Sequence, residues 1–330
     1  MSTAAVNPSV PAAENAAESS GGRFLPAAQP EHIRARRRRE KLMFALMGVG
    51  ALCVFLPMIL VFGTIFVNGI GQLLEPGFLT TAPRAGDAGG GILPAILGTF
   101  ALMMGTIVLA LPLGIFAAIY LTEYAKKGPL VRAIRMAIVN LAGVPSIVHG
   151  LFGLGLFVLF FGGLLDRVTG SPLATWRQNS LLWGSATLAV LVLPVIITAT
   201  EEALLTVPRS FREGSMGLGA TKWTTIWRVV LPAALPGILT GAILAIGRAA
   251  GETAPILFTA VASLITYTGF PKLSDPVMAL PYHLFYVVTQ VANAPLKLQY
   301  GIALVLLLLV FVVNLSAILL RARIRRQRKW

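Results

Sequence analysis

The stretch REGSMGLGATKWTTIWRVVLPAALPGI, Arg212 to Ile238, lies between two long apolar runs and does not read as a plain connector. Ser210 to Met216 suits a short helix. Gly217 and Gly219 then break it, because glycine adopts turn conformations at little cost. Thr221 is placed to cap a second helix through Trp223, Ile226, Trp227 and Val230. Trp223 and Trp227 are four apart and share one helix face. Pro232 and Pro236 are expected to end that helix and lead into the next apolar run. A helix that shows two tryptophans among cations fits docking onto a partner, or lying flat among lipid headgroups.

The rest of the chain is greasier. Of its 330 residues 56% are hydrophobic and 12% charged, with mean hydropathy +0.79; a soluble domain carries about a quarter charged residues. Six stretches are long enough to span a bilayer, which takes about 20 apolar residues. They are 42–67, 94–121, 137–161, 181–203, 237–264 and 300–320. A weaker stretch at 277–292 holds Pro281 and His283 and reads as interfacial or re-entrant. The expected fold is therefore an all-α membrane protein of six transmembrane helices.

Charge placement orients it. Of 27 Lys and Arg, 21 fall in the N-terminal flank, the 122–136 loop, the 204–235 loop and the C-terminal tail. Arg84, Arg167, Arg177, Lys272 and Lys297 fall on the other side, and Arg248 lies within a span. Basic loops stay cytoplasmic, so both termini are expected there, as an even number of spans also requires. A net charge of +14 carried between apolar runs is a topology signal and gives no case for a nucleic-acid partner. The run RARRRREK, Arg34 to Lys41, precedes an apolar stretch too long for a signal peptide, with no small-residue cleavage site after it. Residues 1–40 are expected to be a disordered basic tail, 41–322 the transmembrane domain with its loop at about 204–236, and 323–330 a second basic tail. The single cysteine, Cys53, permits no internal disulfide, and three scattered histidines suggest no metal site. No cofactor is implied.

GRAAGETAPIL, Gly247 to Leu257, puts Arg248 and Glu252 inside the fifth apolar run. An intramembrane charge is expensive and normally faces a cavity or a partner. Taking the span to start near Pro236, Arg248 falls roughly 18 Å in, near mid-membrane. Gly237, Gly241, Ala245 and Ala249 form a small-residue stripe on nearly the same face, suited to close helix contact. The pair suits an anion path, or an ion pair joining two subunits.

The opening stretch resembles the EAA loop of permeases in importers of the ATP-binding-cassette class. Glu213, Gly214 and Ser215 stand where that pattern has an acidic residue and two small ones, usually alanines. Gly219 and the Leu231–Pro232 pair follow at the pattern's spacing. The resemblance implies a type I importer permease fold and a coupling helix seated on a separate ATPase. GGILPAILGT (Gly90–Thr99), PSIVHGLFGLG (Pro145–Gly155) and GRAAGETAPILFTA (Gly247–Ala260) further resemble the phosphate-importer permeases, the GETAP ending being closer to the PstA-type subunit than to its PstC-type partner. What this implies is a transport subunit, not an enzyme, in the bacterial inner membrane. Its implied partners are a PstC-type permease, a cytoplasmic ATPase dimer, a periplasmic phosphate-binding protein and phosphate itself. The expected pathway residues are Arg248 and Glu252; for coupling, the resemblance implies Glu213, Gly219 and Pro232, and the shared helix face adds Trp223 and Trp227. ATP hydrolysis falls to the partner: the nearest match to a phosphate-cradling loop, GLGATKW, lacks the glycine before Lys222.

Two other readings stay open: a permease for another oxyanion such as sulfate or molybdate, and an ion-coupled secondary transporter or channel. The absence of an obvious internal repeat weighs against the latter. The topology predicts that a cysteine placed at Arg84 or Lys272 labels from outside with a membrane-impermeant thiol reagent, and one at Lys222 does not. Labelling at 222 in sealed cells overturns the map.

Overall fold

A computed structural model describes residues 30–84, 90–126, 128–170, 175–262, 265 and 269–327, in two units divided between Val61 and Phe62. The described part of the first unit is helical throughout and belongs to α1 (Pro30–Leu73). Residues 30–40, expected to be part of a disordered tail, are therefore helix. Arg, Lys, Glu and Ala dominate the stretch and are good helix formers, so α1 starts well before its apolar run. The rest of the expected tail, 1–29, lies outside the described residues.

The second unit is a helical bundle. It contains α2 (Leu93–Ile119), which continues through a π-helical turn to Tyr124, and then α3 (Pro129–Ala142). Next come α4 (Ser146–Gly153), a π-helical stretch over Leu154–Phe161, and α5 (Gly162–Thr169). After α6 (Leu181–Thr206) and α7 (Arg209–Gly217), α8 (Lys222–Thr225) runs through a π turn at Ile226–Val230 into α9 (Leu231–Gly251). The chain ends with α10 (Ala254–Thr259), α11 (Leu280–Gln290) and α12 (Leu296–Gln327). Among the described residues six helical segments are long and apolar enough to cross a membrane. The 11-residue α11 is too short for that, in line with its reading as a non-spanning segment.

Two spans are displaced from their expected positions. The third runs from Ser146 to Thr169, not 137–161. Pro145 disfavours helix at Val144, so Gly143–Pro145 cuts the apolar run in two. Residues 137–142 belong to α3, an amphipathic helix that sets Val131, Ile134 and Ile138 against the core. The fifth runs from Lys222 to Gly251, not 237–264. Pro232 and Pro236 do not stop it. The wide π turn at 226–230 comes just before Pro232, where a proline ring would otherwise meet the carbonyl one turn back. The helix stops instead at Glu252, whose backbone is extended.

The core of the bundle is α6, which has the largest buried share of any span. Along one side of it α9 lies almost in backbone contact. A Cβ added at Gly237 would sit 2.5 Å from the Ala203 Cβ, and one at Gly241 2.6 Å from the Ala199 Cβ. Ala245 and Ala249 continue the seam and are buried against Ala189, Leu191, Val192 and Ile196. The small-residue stripe is thus the α6–α9 interface. Gly241→Ala is expected to overpack it by about 1–3 kcal/mol and lower the melting temperature of the purified protein in detergent. Gly63→Ala, with nothing within 4 Å, should leave it unchanged or raised. Equal melting of both variants would refute the close seam.

Candidate functional site

Arg248 sits in the last turn of α9, and Glu252 follows in extended backbone just past the helix end. They are therefore not one face of a continuous helix, as their spacing suggested. The contact survives the break: Arg248 Nε lies 3.5 Å from Glu252 Oε1, with the side chains 35% and 18% exposed. Thr253 then leads into α10, with Pro255 in its first turn, a position that needs no N–H. GETAP thus encodes a helix stop and restart.

The depth of the pair follows from the seam. Gly237 faces Ala203 and Gly241 faces Ala199, so α9 and α6 run antiparallel and Arg248 comes level with Val192. That is roughly 17 Å from the Leu181 end of α6 and roughly 21 Å from its Thr206 end. The arginine lies near the middle of the bundle, as its distance from Pro236 suggested.

One neighbour was not singled out in the sequence. A Cβ on Gly247 would lie 3.3 Å from Asn314 Nδ2 of α12, so the Asn314 amide packs against the backbone beside Arg248. Its Oδ1 is buried without a hydrogen-bond partner among the described residues. The available signal was a lone amide within the most apolar run, since polar side chains there are costly to bury unpaired.

A second group forms an elbow at the Thr206 end of α6. Gly219 turns the chain between α7 and α8 at φ +85°, a conformation that side chains resist. The Thr221 hydroxyl caps α8 by accepting from Thr224 N at 3.2 Å. Ser215 and Thr225 hydroxyls meet at 3.0 Å and tie the two arms together. Trp223 and Trp227 stack with centroids 5.5 Å apart, and Trp227 also stacks on Phe116 of α2 at 6.5 Å. Glu213 is exposed. Leu218, at the tip, is 91% exposed, an apolar side chain the sequence reading passed over.

The structure thus gathers Glu213, Gly219, Trp223 and Trp227 at one end and sets Arg248 and Glu252 apart from them. Trp227 and Arg248 belong to one unbroken helical segment and are roughly 30 Å apart along it. Pro232 belongs to neither group: it lies inside that segment.

The family of binding-protein-dependent transport system inner membrane components matches residues 110–329. A probable ABC transporter permease protein of Bacillus subtilis, YqgI, is 34% identical over 86% of this chain and 95% of its own length. The phosphate transport system permease protein PstA 1 of Mycobacterium tuberculosis is 31% identical over 89% of this chain and 91% of its own. Among solved structures, a bacterial ABC transporter for import of the acidic polysaccharide alginate superposes with a TM-score of 0.58 over 88% of this chain and 99% of that one. At 13% identity this likeness speaks for the fold alone.

Proposed function

The chain belongs to the family of binding-protein-dependent transport system inner membrane components, and from that membership we propose that it is the PstA-type permease subunit of an ATP-driven phosphate importer. It is a multi-pass inner-membrane protein. In this reading both termini are cytoplasmic, and it pairs with a PstC-type permease, a cytoplasmic ATPase dimer and a periplasmic phosphate-binding protein. No bond in phosphate is broken; the ATPase cycle drives alternating access. The structural observation that supports the reading is the Arg248–Glu252 pair, partly exposed at the mid-bundle break of the fifth span.

Its chemistry fits the ion. A guanidinium stays charged when partly desolvated and offers a planar fork of donors to oxyanion oxygens. Glu252 keeps Arg248 from standing unpaired when the path is empty. Phosphate near neutral pH still carries a proton that a carboxylate can accept as a hydrogen bond, whereas sulfate carries none and meets only repulsion from Glu252, so the pair favours phosphate over sulfate. The 3.5 Å contact is loose enough to open for a passing anion. At the other end, exposed Glu213, Leu218, Trp223 and the Gly219 turn form the surface for the ATPase. Co-purification of an ATPase, with phosphate uptake dependent on both chains, tests the whole assignment; uptake that survives loss of the ATPase would favour a secondary transporter.

Two variants probe the two ends. Arg248→Gln should assemble and hydrolyse ATP, yet lose roughly ten- to a hundredfold in uptake, the worth of a charged hydrogen bond. Arg248→Lys should recover part of it. Normal uptake in Arg248→Gln sinks the pathway role, and failed assembly identifies a structural ion pair. Gly219→Val should insert but lose transport, because valine resists the +85° φ of the turn. Full stimulation of the ATPase by this variant would exclude the elbow as the docking element.

A further inference from the structure

The base of the elbow is held by a connection far apart in sequence. Arg212 of α7 points back into the bundle. Its Nη2 and Nε reach Glu123 Oε1 at 2.8 and 3.1 Å, across 89 residues. The same guanidinium donates through Nη1 to the Val207 carbonyl at 2.7 Å and through Nη2 to the Leu204 carbonyl at 2.8 Å. Glu123 lies in the π turn that ends the second span, Leu204 in the last turn of α6, and Val207 just past it. Arg212 and Glu123 are 17% and 10% exposed, the most buried of the described ion pairs. From the other arm of the elbow, Lys222 donates to the Glu123 carbonyl and sits 4.8 Å over the Tyr124 ring.

Both arms therefore grip the same turn of α2, Arg212 by its carboxylate and Lys222 by its backbone, while the Gly219 turn and Leu218 project outward. We propose that Arg212 and Glu123 are positioning residues for coupling: a clasp that fixes the docking elbow to the ends of the second and fourth spans, so that ATPase movement reaches them directly and not only through α9. This rests on the phosphate-importer reading of the chain. The chemistry suits the role. Carbonyls at a helix C-terminus are short of intrahelical donors; among the described residues the Leu204 carbonyl otherwise accepts only at 3.4 Å from the Val207 N–H, and the rigid guanidinium fork supplies donors to it, to the Val207 carbonyl and to a carboxylate at once. A lysine provides one point charge and cannot span all three. A free carboxylate left in that place would be an unpaired, poorly hydrated charge, so the two residues act as one unit.

The test uses the full complex in proteoliposomes, comparing wild type, Arg212→Lys, Arg212→Gln, Glu123→Gln and the double Gln variant. Three quantities are read: ATPase retained on purification, basal ATP hydrolysis, and phosphate transported per ATP with binding protein present. The clasp predicts that each variant keeps the ATPase and its basal rate. Phosphate per ATP should fall roughly tenfold, as expected for loss of charge-assisted hydrogen bonds, with the half-saturating concentration of binding protein unchanged. The double variant should fall no further than the singles, because coupled residues are not additive. Additive losses, a normal transport ratio, or loss of the ATPase from the complex each overturn the clasp. A wild-type complex without ATP-dependent phosphate uptake fails the underlying functional reading, and the clasp with it.

Discussion

A helix interrupted inside a bilayer exposes backbone donors and acceptors that lipid cannot satisfy, so the break must be wrapped in protein. The fifth span breaks at Glu252, and much of the bundle is arranged to cover that break. Gly150 of α4 brings its backbone so close that a Cβ there would lie 2.9 Å from the Ala254 carbonyl. The Thr259 hydroxyl returns to the Pro255 carbonyl at 3.0 Å, and the Ser180 N–H donates to the Thr259 carbonyl at 3.0 Å. Ala260 is buried so tightly against Gly184 that no larger residue fits between α6 and the restarted chain. With its backbone supported by the third and fourth spans, the broken segment holds an arginine and a carboxylate mid-bundle with part of each side chain uncovered.

The same requirement explains what could be read from the sequence. The first, second, fourth and sixth spans sit where their apolar runs put them, because hydropathy reports length and burial. The third and fifth do not, because hydropathy is blind to where a helix starts or stops. Gly143–Pro145 carries no charge to mark a boundary, yet it ends α3. Pro232 and Pro236 look like breakers, yet the π turn before them accommodates the first and the second lies inside α9. Arg248 and Glu252 were legible because charge in a greasy run is conspicuous. Arg212 was not, although it lies one residue from Glu213. Its partner is 89 residues away, and nothing in either local pattern points to the other. Asn314 was missed for a different reason: one amide barely lowers the hydropathy of a long apolar run.

The two candidate groups differ in how they are held. The elbow is pinned by polar contacts: a hydroxyl pair joins its arms, a threonine cap starts one of them, and a largely covered arginine fastens its base. The α6–α9 seam is the opposite, a smooth contact of glycine and alanine with no hydrogen bond across it among those described. Directional polar contacts hold the elbow in one geometry, whereas the seam is held by close apolar packing that leaves no room for a larger side chain at Gly237 or Gly241.

Those properties, taken together, dictate how a push at the elbow would travel. From Lys222 to Gly251 the chain is one unbroken helical segment, so displacement at Trp227 reaches Arg248 along its axis. In the proposed clasp, Arg212 would carry the same push to the ends of α2 and α6, where it bonds Glu123, Leu204 and Val207. If all three spans moved as one block, the pair at Glu252 would feel nothing relative to its surroundings. It is the break that converts movement into a local change. Beyond Gly251 the restarted α10 belongs to the assembly around α4 and the Ser180 end of α6, while Arg248 belongs to α9. Arg248 and Glu252 straddle that division, so any shift of α9 against the covered end must alter their 3.5 Å separation. A charge pair placed anywhere else on the fifth span would move as a unit and keep its geometry.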